Sequence, residues 1–161
     1  MNPTRLLFVC LGNIIRSPLA AKLFEREVDL RGLKSKYEAD SAATSNYEVG
    51  QPPDERMLRT AARRGFHYTH RARQIERADL DKFDLLIVMD LENKADVERI
   101  ALKPGQRAKI HLLREFDPQA LGNIAIPDPW YGGLSGFEDA YDVIERSVRG
   151  LLDALEAGNL L

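Results

Sequence analysis

The chain has 161 residues, of which 44% are apolar and 30% are charged, a balance typical of globular proteins and not of disordered, collagenous or membrane-embedded chains. Its formal charge of −2, from 23 Lys and Arg against 25 Asp and Glu, gives no net attraction to nucleic acid or to an anionic membrane surface. A chain of this length has the size of one ordinary domain. We therefore expect a single domain over residues 1–161, with any anion-binding site formed by a local feature.

The longest apolar runs, such as LLFVCLG and DLLIVM, are far shorter than the roughly 20 residues that span a bilayer. The N-terminus has too short an apolar run and no small-residue cleavage pattern for secretion. We expect a cytoplasmic protein with no membrane insertion and no nucleic-acid partner. The only cysteine, Cys10, excludes an intramolecular disulfide and a cysteine-rich zinc site, so its thiol is either inert packing or a nucleophile.

Strands and helices alternate along the chain. The run at 5–10, RLLFVC, has no polar alternation, which is typical of a strand buried on both faces of a parallel sheet. Ser17 and Pro18 predict the N-cap and first turn of a helix that ends near Gly32. The pattern further predicts strands at 37–43, 84–89 and 108–113, and helices at about 54–64, 91–100 and 136–157.

This alternation predicts an α/β fold, a doubly wound parallel sheet of about four strands with helices on both faces, joined by right-handed crossovers. The last helix places one apolar face toward the sheet, formed by Phe137, Tyr141, Ile144, Val148, Leu151, Leu152 and Leu155. Ligands of such folds bind at the carboxyl ends of the strands. Cys10 stands at the carboxyl end of the first strand, which favours a chemical role for its thiol.

The loop after this strand can bind an anion. It consists of Leu11, Gly12, Asn13, Ile14, Ile15 and Arg16. Gly and Asn tolerate unusual backbone angles, so the loop can turn its N–H groups inward. Such a nest at a helix N-terminus binds a phosphate-like dianion and stabilises a thiolate. The guanidinium of Arg16 can donate two parallel hydrogen bonds to phosphoryl oxygens.

The string CLGNIIRS fits C-x5-R-S, and with LLFV before it and PLA after it it resembles the signature loop of the low-molecular-weight protein tyrosine phosphatases. A bare C-x5-R spacing is weak evidence, whereas the whole string on a strand, loop and helix is specific. Further matches to this family are DSAATSNYEVGQPPDERM at 40–57, HRARQI at 70–75 and VMDLENKADV at 88–97. The resemblance therefore covers nearly the whole chain.

A thiolate that attacks phosphotyrosine releases a phenol with a pKa of about 10, so a proton donor near the leaving oxygen lowers the barrier. The candidate donor is Asp128 in IPDPWYGG, where the flanking prolines restrict the backbone. A lone Asp-Pro pair is a common turn, but with the following aromatics and glycines the stretch resembles the family's acid loop. The resemblance implies that Asp128 protonates the leaving phenol and then activates water against the cysteinyl phosphate of Cys10.

The resemblance implies further roles. Tyr47, Trp130 and Tyr131 resemble the walls of a phosphotyrosine pocket, which disfavours phosphoserine, and the loop residues 11–15 contact the phosphoryl group. Supporting positions are Asn13, Ser17, Ser41 and His70, which the resemblance places in a hydrogen-bond network that holds the loop, and Asp90, which it places near the active site. From the pattern alone, Ser17 and Asp90 are helix caps, and the His67–His70 pair has too few nearby ligands for a metal site.

The expected activity is that of a phosphoric monoester hydrolase acting on phosphotyrosine in proteins and on small aryl phosphates. We expect no metal or organic cofactor, because the thiolate, Arg16 and the N–H nest supply the charge stabilisation. The expected partners are a phosphotyrosine-containing protein and inorganic phosphate or a similar oxyanion in the loop. Two alternatives remain: an arsenate reductase that uses an external thiol, and a noncatalytic phosphate-binding module. The joint presence of Cys10, Arg16, Ser17 and Asp128 favours the phosphatase.

Overall fold

A computed structural model describes residues 2–160 and contains a four-stranded, fully parallel sheet. Its strands are β1 (Thr4–Cys10), β2 (Tyr37–Ala43), β3 (Leu85–Val88) and β4 (Ile110–Leu112), in the order β2-β1-β3-β4. The helices are α1 (Arg16–Leu30), α2 (Glu55–Arg63), α3 (Asp79–Lys82), α4 (Leu91–Ile100), α5 (Pro104–Arg107) and α6 (Leu134–Glu156), with 3₁₀ helices at Leu113–Phe116 and Pro129–Tyr131. No helix within the described residues is long and apolar enough to cross a membrane.

The sheet is covered on both faces, which confirms the predicted fold class. Alternate residues of β1 enter two separate apolar clusters: Leu6 and Phe8 pack with α1 and α6, whereas Leu7 and Val9 pack with the side of the sheet that carries α3 and α4. All four side chains have no exposed surface, as expected of a strand at the centre of a parallel sheet. The seven apolar positions predicted for the last helix are all buried in α6.

The strand order creates a switch point beside the cysteine. The chain leaves β1 for β2 on one side and returns to β3 on the other, so the carboxyl ends of β1 and β3 flank a crevice. This is where ligands bind in open parallel α/β sheets. Cys10 is the last residue of β1, and Asp90 follows β3 by two residues.

The sequence pattern missed the shortest elements. The helices α3 and α5 have four residues each, too few to show a 3.6-residue hydrophobic period. The strands predicted at 84–89 and 108–113 are shorter in the structure, and β4 ends because Leu113 starts a 3₁₀ helix. The predicted cap at Ser17 was wrong: α1 begins at Arg16, and Ser17 lies within its first turn.

The helix α6 contacts the 3₁₀ helix Leu113–Phe116 through Gly150. A Cβ atom at Gly150 would stand 1.9 Å from the carbonyl oxygen of Phe116 and 3.0 Å from its carbonyl carbon. Both are main-chain atoms, so no rotamer change relieves the overlap. The glycine is therefore required by the close approach of two backbones and not by a turn.

We expect Gly150→Ala to lower the free energy of unfolding by about 1–3 kcal/mol, because the cost of forced overpacking exceeds the helix-propensity gain of alanine over glycine. Urea denaturation measures this difference. Gly136→Ala is the matched control in the same helix, since a Cβ there would make an ordinary 3.6 Å contact with Pro129 Cβ. Equal stability of the two variants would contradict the packing argument.

Candidate active site

A pocket of about 250 Å³ opens at the carboxyl end of β1. It gathers every residue that the sequence assigned to catalysis or substrate binding, together with Glu48. The lining residues are Cys10, Leu11, Gly12, Asn13, Ile14, Ile15, Arg16, Tyr47, Glu48, Asp128, Trp130 and Tyr131. Three distant segments of the chain, the loop after β1, the loop after β2 and the stretch before α6, thus form one cavity.

The thiol of Cys10 is buried and has polar contacts with two residues. Its Sγ lies 3.0 Å from the Oγ of Ser17 and 3.3 Å from the main-chain nitrogen of Asn13, which donates to it. Hydrogen bonds from an N–H group and a hydroxyl stabilise the ionised form of a thiol. Ser17 belongs to the first turn of α1, so its contact with the sulfur places the N-terminal turn of this helix beside the thiol.

Asn13 holds the loop from behind. Its side-chain nitrogen donates to Ser17 Oγ at 2.8 Å and to Ser41 Oγ at 3.0 Å, and its side-chain oxygen accepts from the Arg73 main chain at 3.0 Å. The residue has a φ of 58°, a left-handed conformation that Asn adopts more readily than most residues. The network therefore fixes a backbone turn that directs the loop around the sulfur.

His70 completes this network. Its Nε2 lies 3.0 Å from the main-chain oxygen and 2.9 Å from the side-chain oxygen of Asn13. Both partners are acceptors, so Nε2 carries the hydrogen. Burial lowers the pKa of His70 and outweighs the opposing hydrogen bond to the Asn13 backbone. The neutral imidazole is therefore the form that the folded protein favours.

The lowered pKa of His70 predicts a pH dependence of stability. Below the ordinary histidine pKa of about 6.5 the unfolded chain binds a proton that the folded chain resists. The His70 contribution is therefore complete above that pH and declines as the pH falls toward the folded-state value. We expect His70→Asn to lose less unfolding free energy than wild type between about pH 7.5 and about pH 5.5.

Urea denaturation at the two pH values measures this difference. His67→Asn, at an exposed position outside the Asn13 network, controls for the loss of one histidine. The same fall in unfolding free energy in His70→Asn and wild type would contradict the prediction.

The loop offers unpaired donors to an anion. Within residues 2–160, the main-chain N–H groups of Gly12, Ile14 and Ile15 donate to no protein acceptor, although all three residues line the pocket. Buried N–H groups normally have a partner. A tetrahedral oxyanion above the sulfur would supply one, because several convergent N–H groups and a helix N-terminus form a phosphate site.

Arg16 supplies the fixed positive charge. Its side chain is only 2% exposed, and its NH1 donates to Asp90 Oδ2 at 2.8 Å and to the Ile126 carbonyl at 2.7 Å. These two bonds fix one edge of the guanidinium and leave its NH2 beside the pocket. Asp90 also caps α4 by accepting from the Asn93 N–H at 2.8 Å. Its carboxylate therefore has both positions that the sequence suggested, at the start of a helix and next to the pocket residue Arg16.

Asp128 lines the same pocket, beside Arg16. Its Oδ2 is 3.6 Å from the NH2 of Arg16, and its Oδ1 accepts from the Trp130 N–H at 3.0 Å. The backbone of Asp128 is extended, with φ −77° and ψ 116°, as expected of a residue before proline. Its carboxyl is 37% exposed and lines the pocket, so a ligand or water in the pocket can reach it.

Aromatic side chains surround the mouth. Tyr131 is 95% exposed, Tyr47 is 76% exposed and Trp130 is 40% exposed. Large aromatic surface left open beside a polar floor is a feature of sites that bind a ring-bearing ligand. The arrangement can hold an aryl group between these walls while its phosphoryl group contacts the loop.

Comparison with known proteins agrees with this geometry. Residues 5–159 match the family described as low molecular weight phosphotyrosine protein phosphatase. The chain belongs to this family. It is 42% identical to the human low molecular weight phosphotyrosine protein phosphatase over 151 residues, covering 91% of this chain and 92% of the human protein. It is 40% identical to a putative low molecular weight protein-tyrosine-phosphatase of Synechocystis, covering 94% of this chain and 96% of that protein.

A solved structure of the Entamoeba histolytica protein tyrosine phosphatase, with Hepes in its active site, superimposes with a TM-score of 0.92 at 34% identity, covering 98% of this chain and 99% of the other. Enzymes of this phosphatase family are hydrolases that act on phosphoric monoesters. The residues of the C-x5-R loop in this phosphatase are Cys10 and Arg16, at the two ends of the loop that lines the pocket.

Sequence reasoning missed several residues of the phosphatase site. Glu48 lines the pocket. The Ile126 carbonyl accepts a hydrogen bond from Arg16, and the Arg73 main-chain N–H donates one to Asn13. The sequence could not indicate these two contacts, because they use main-chain atoms that almost every residue type has. Glu48 had one signal, since it directly follows the predicted pocket residue Tyr47.

Proposed function

We propose that this phosphatase hydrolyses phosphotyrosine in proteins, and small aryl phosphates, through a cysteinyl-phosphate intermediate. The observation that carries the proposal is the position of the Cys10 sulfur, which lies at the floor of the pocket among unpaired loop N–H groups. The Arg16 guanidinium and the Asp128 carboxyl lie beside each other on the pocket wall, with Asp128 Oδ2 3.6 Å from Arg16 NH2. This set supplies a nucleophile, a cradle for phosphoryl oxygens and a proton donor.

In the first step, the Cys10 thiolate attacks phosphorus and the bond from phosphorus to the phenolic oxygen breaks. Asp128 donates its proton to that oxygen, so tyrosine leaves neutral. Arg16 and the loop N–H groups bind the equatorial phosphoryl oxygens and stabilise the charge that they carry in the transition state. The Ser17 hydroxyl, 3.0 Å from the sulfur, stabilises the thiolate before attack.

In the second step, the Asp128 carboxylate takes a proton from water, and the water oxygen attacks the phosphorus of the phosphocysteine. The bond from sulfur to phosphorus breaks, inorganic phosphate leaves and Cys10 returns to the thiolate. Asn13, Ser41 and His70 act behind the loop by keeping its N–H groups directed at the oxyanion. Asp90 acts through Arg16, whose guanidinium it orients.

The aromatic walls support a preference for phosphotyrosine. A phosphoryl group on the loop places an attached ring between Tyr47, Trp130 and Tyr131, which line the same pocket. Phosphoserine has no ring to make these contacts, and its shorter side chain holds the peptide backbone against the pocket rim. We also propose that residues 1–161 form one domain and that the protein acts in the cytoplasm on phosphorylated proteins.

Phosphate release by reduced wild-type protein in the presence of a chelator tests the proposal. The substrates are an aryl phosphate and two peptides that differ only at the phosphorylated position, which is phosphotyrosine in one and phosphoserine in the other. We expect turnover of the aryl phosphate and the phosphotyrosine peptide and much slower release from the phosphoserine peptide. Failure of the folded, reduced protein to release phosphate from any of them would refute the proposal, and arsenate with an external thiol would then be tested.

A further inference from the structure

Arg56, near the start of α2, binds the segment that carries Asp128. Its guanidinium carbon lies 5.1 Å from the ring centroid of Trp130 and 4.6 Å from that of Phe137. The cation therefore contacts one ring of the acid loop and one ring at the start of α6. Stacking of arginine on aromatic faces combines cation–π attraction with apolar contact.

A chain of hydrogen bonds leads from Arg56 to the carboxyl of Asp128. The NH1 of Arg56 donates to the Trp130 carbonyl at 3.0 Å, and the Trp130 N–H donates to Asp128 Oδ1 at 3.0 Å. The peptide unit that carries this N–H belongs to the 3₁₀ helix Pro129–Tyr131. Within residues 2–160 the carboxyl of Asp128 has one other polar contact, the 3.6 Å ion pair to Arg16, and it also attracts the charge of Arg56. The placement of this helix therefore helps to decide where the carboxyl points.

The other end of Arg56 is fixed to the phosphate-binding loop. Asp54 accepts from Arg56 Nε at 3.1 Å and from Arg56 NH2 at 2.9 Å, and its own N–H donates to the Ile14 carbonyl at 2.9 Å. These hydrogen bonds to Asp54 raise the pKa of Arg56. The side chain of Asp54 is only 9% exposed, whereas that of Arg56 is 36% exposed, so the buried carboxylate holds the arginine in a two-point hydrogen bond that connects the two loops.

We propose that Arg56 is a positioning residue that holds the acid loop against the phosphate-binding loop, so that Asp128 meets the leaving oxygen of a substrate bound above Cys10. This inference rests on the proposed phosphatase activity. Its structural part, the docking of the loop by Arg56, does not depend on turnover. Lysine cannot replace arginine here, because the site uses the planar guanidinium for two aromatic contacts and three separate hydrogen bonds.

The fluorescence of Trp130 measures the docking directly, since it is the only tryptophan of the chain. We expect Arg56→Met to increase the quenching of Trp130 by acrylamide and to shift its emission to longer wavelength. Arg59→Met is the matched control, because Arg59 is on the same helix, is exposed and, among residues 2–160, pairs with Glu55 alone, at 3.3 Å. Quenching of Arg56→Met equal to that of wild type and of the control would overturn the inference.

The leaving-group dependence tests the effect on Asp128. We expect Arg56→Met to lose roughly 10- to 100-fold in kcat/KM for phenyl phosphate, as for a displaced catalytic group, and to lose little for a dinitrophenyl phosphate, whose leaving group needs no proton. The comparison uses kcat/KM because it reports the first step and not the hydrolysis of the phosphocysteine, in which Asp128 acts on water for every substrate. Arg56→Lys keeps the charge and is measured in parallel, and it should show the same selective loss. Equal losses for both substrates in the folded variants would overturn the positioning role.

The two proposals fail in different ways. Absence of turnover by wild type refutes the phosphatase proposal, while the Trp130 measurement still decides whether Arg56 holds the loop. Normal turnover by wild type with no selective loss in Arg56→Met and Arg56→Lys refutes the positioning role alone. Circular dichroism melts of each variant ensure that only folded protein is compared.

Discussion

Cys10→Ser is expected to abolish phosphate release from every substrate, with a loss of about 10⁴-fold or more. A serine hydroxyl is not ionised at neutral pH and attacks only when a neighbouring base takes its proton. The sulfur contacts the Ser17 hydroxyl and the Asn13 N–H, and neither is a base. The substitution therefore removes the nucleophile and provides no route to another one.

The same variant separates catalysis from binding. Arg16 and the loop N–H groups remain in Cys10→Ser, so we expect phosphate and a phosphotyrosine peptide to bind with affinity near that of wild type in calorimetry. Loss of turnover with retained binding would exclude a noncatalytic phosphate-binding module as the function of the wild type. Turnover at the wild-type rate would show that the Cys10 assignment is wrong.

The fold and the floor of the site could be predicted from the sequence because their signals are local. The apolar run of β1 and the string CLGNIIRS occupy one continuous stretch, and the backbone within it forms the nest around Cys10. Strand and helix patterns then specify a doubly wound sheet whose switch point lies beside that stretch. Physical rules for parallel sheets thus locate the crevice before any contact is known.

The parts that could not be predicted depend on contacts between distant segments. Arg56 and Trp130 are 74 positions apart, and their hydrogen bond involves a main-chain carbonyl. The sequence does not indicate that these two residues are in contact, because an arginine near the start of a helix is usually a solvated surface residue. The hydrogen bond from Arg16 to the Ile126 carbonyl, 110 positions away, could not be predicted either, because every residue has a main-chain carbonyl.

Ser17 shows how local reasoning can choose the wrong partner. Serine before proline fits a helix N-cap, but α1 begins at Arg16 with Ile15 as its N-cap, and no side chain caps it. The Ser17 hydroxyl instead contacts the Cys10 sulfur and accepts from Asn13. The hydroxyl contacts the buried thiol and the buried amide at the same time, and these tertiary contacts override the local capping preference of serine.

Asp128→Ala is expected to slow the release of poor leaving groups by about 10²–10⁴-fold, the usual effect of removing a general acid. Phenyl phosphate and phosphotyrosine peptides report this loss in kcat/KM, which reflects the first step and not the hydrolysis of the phosphocysteine that all substrates share. A dinitrophenyl phosphate should lose much less in the first step, because its leaving oxygen is stable without a proton. The variant should therefore show a steeper dependence of rate on leaving-group basicity than wild type.

Asp139→Ala is the matched control for this prediction, because Asp139 is an exposed carboxylate at the start of α6, outside the catalytic pocket. It should keep the wild-type dependence on the leaving group. Equal losses for all substrates in Asp128→Ala would mean that the carboxyl acts by shaping the pocket or by binding Arg16, from which it is 3.6 Å away, and not by transferring a proton. A loss restricted to poor leaving groups would show that the Asp128 carboxyl donates a proton to the leaving oxygen. The Arg56 variants then test whether the position of that carboxyl depends on the contact between the acid loop and α2.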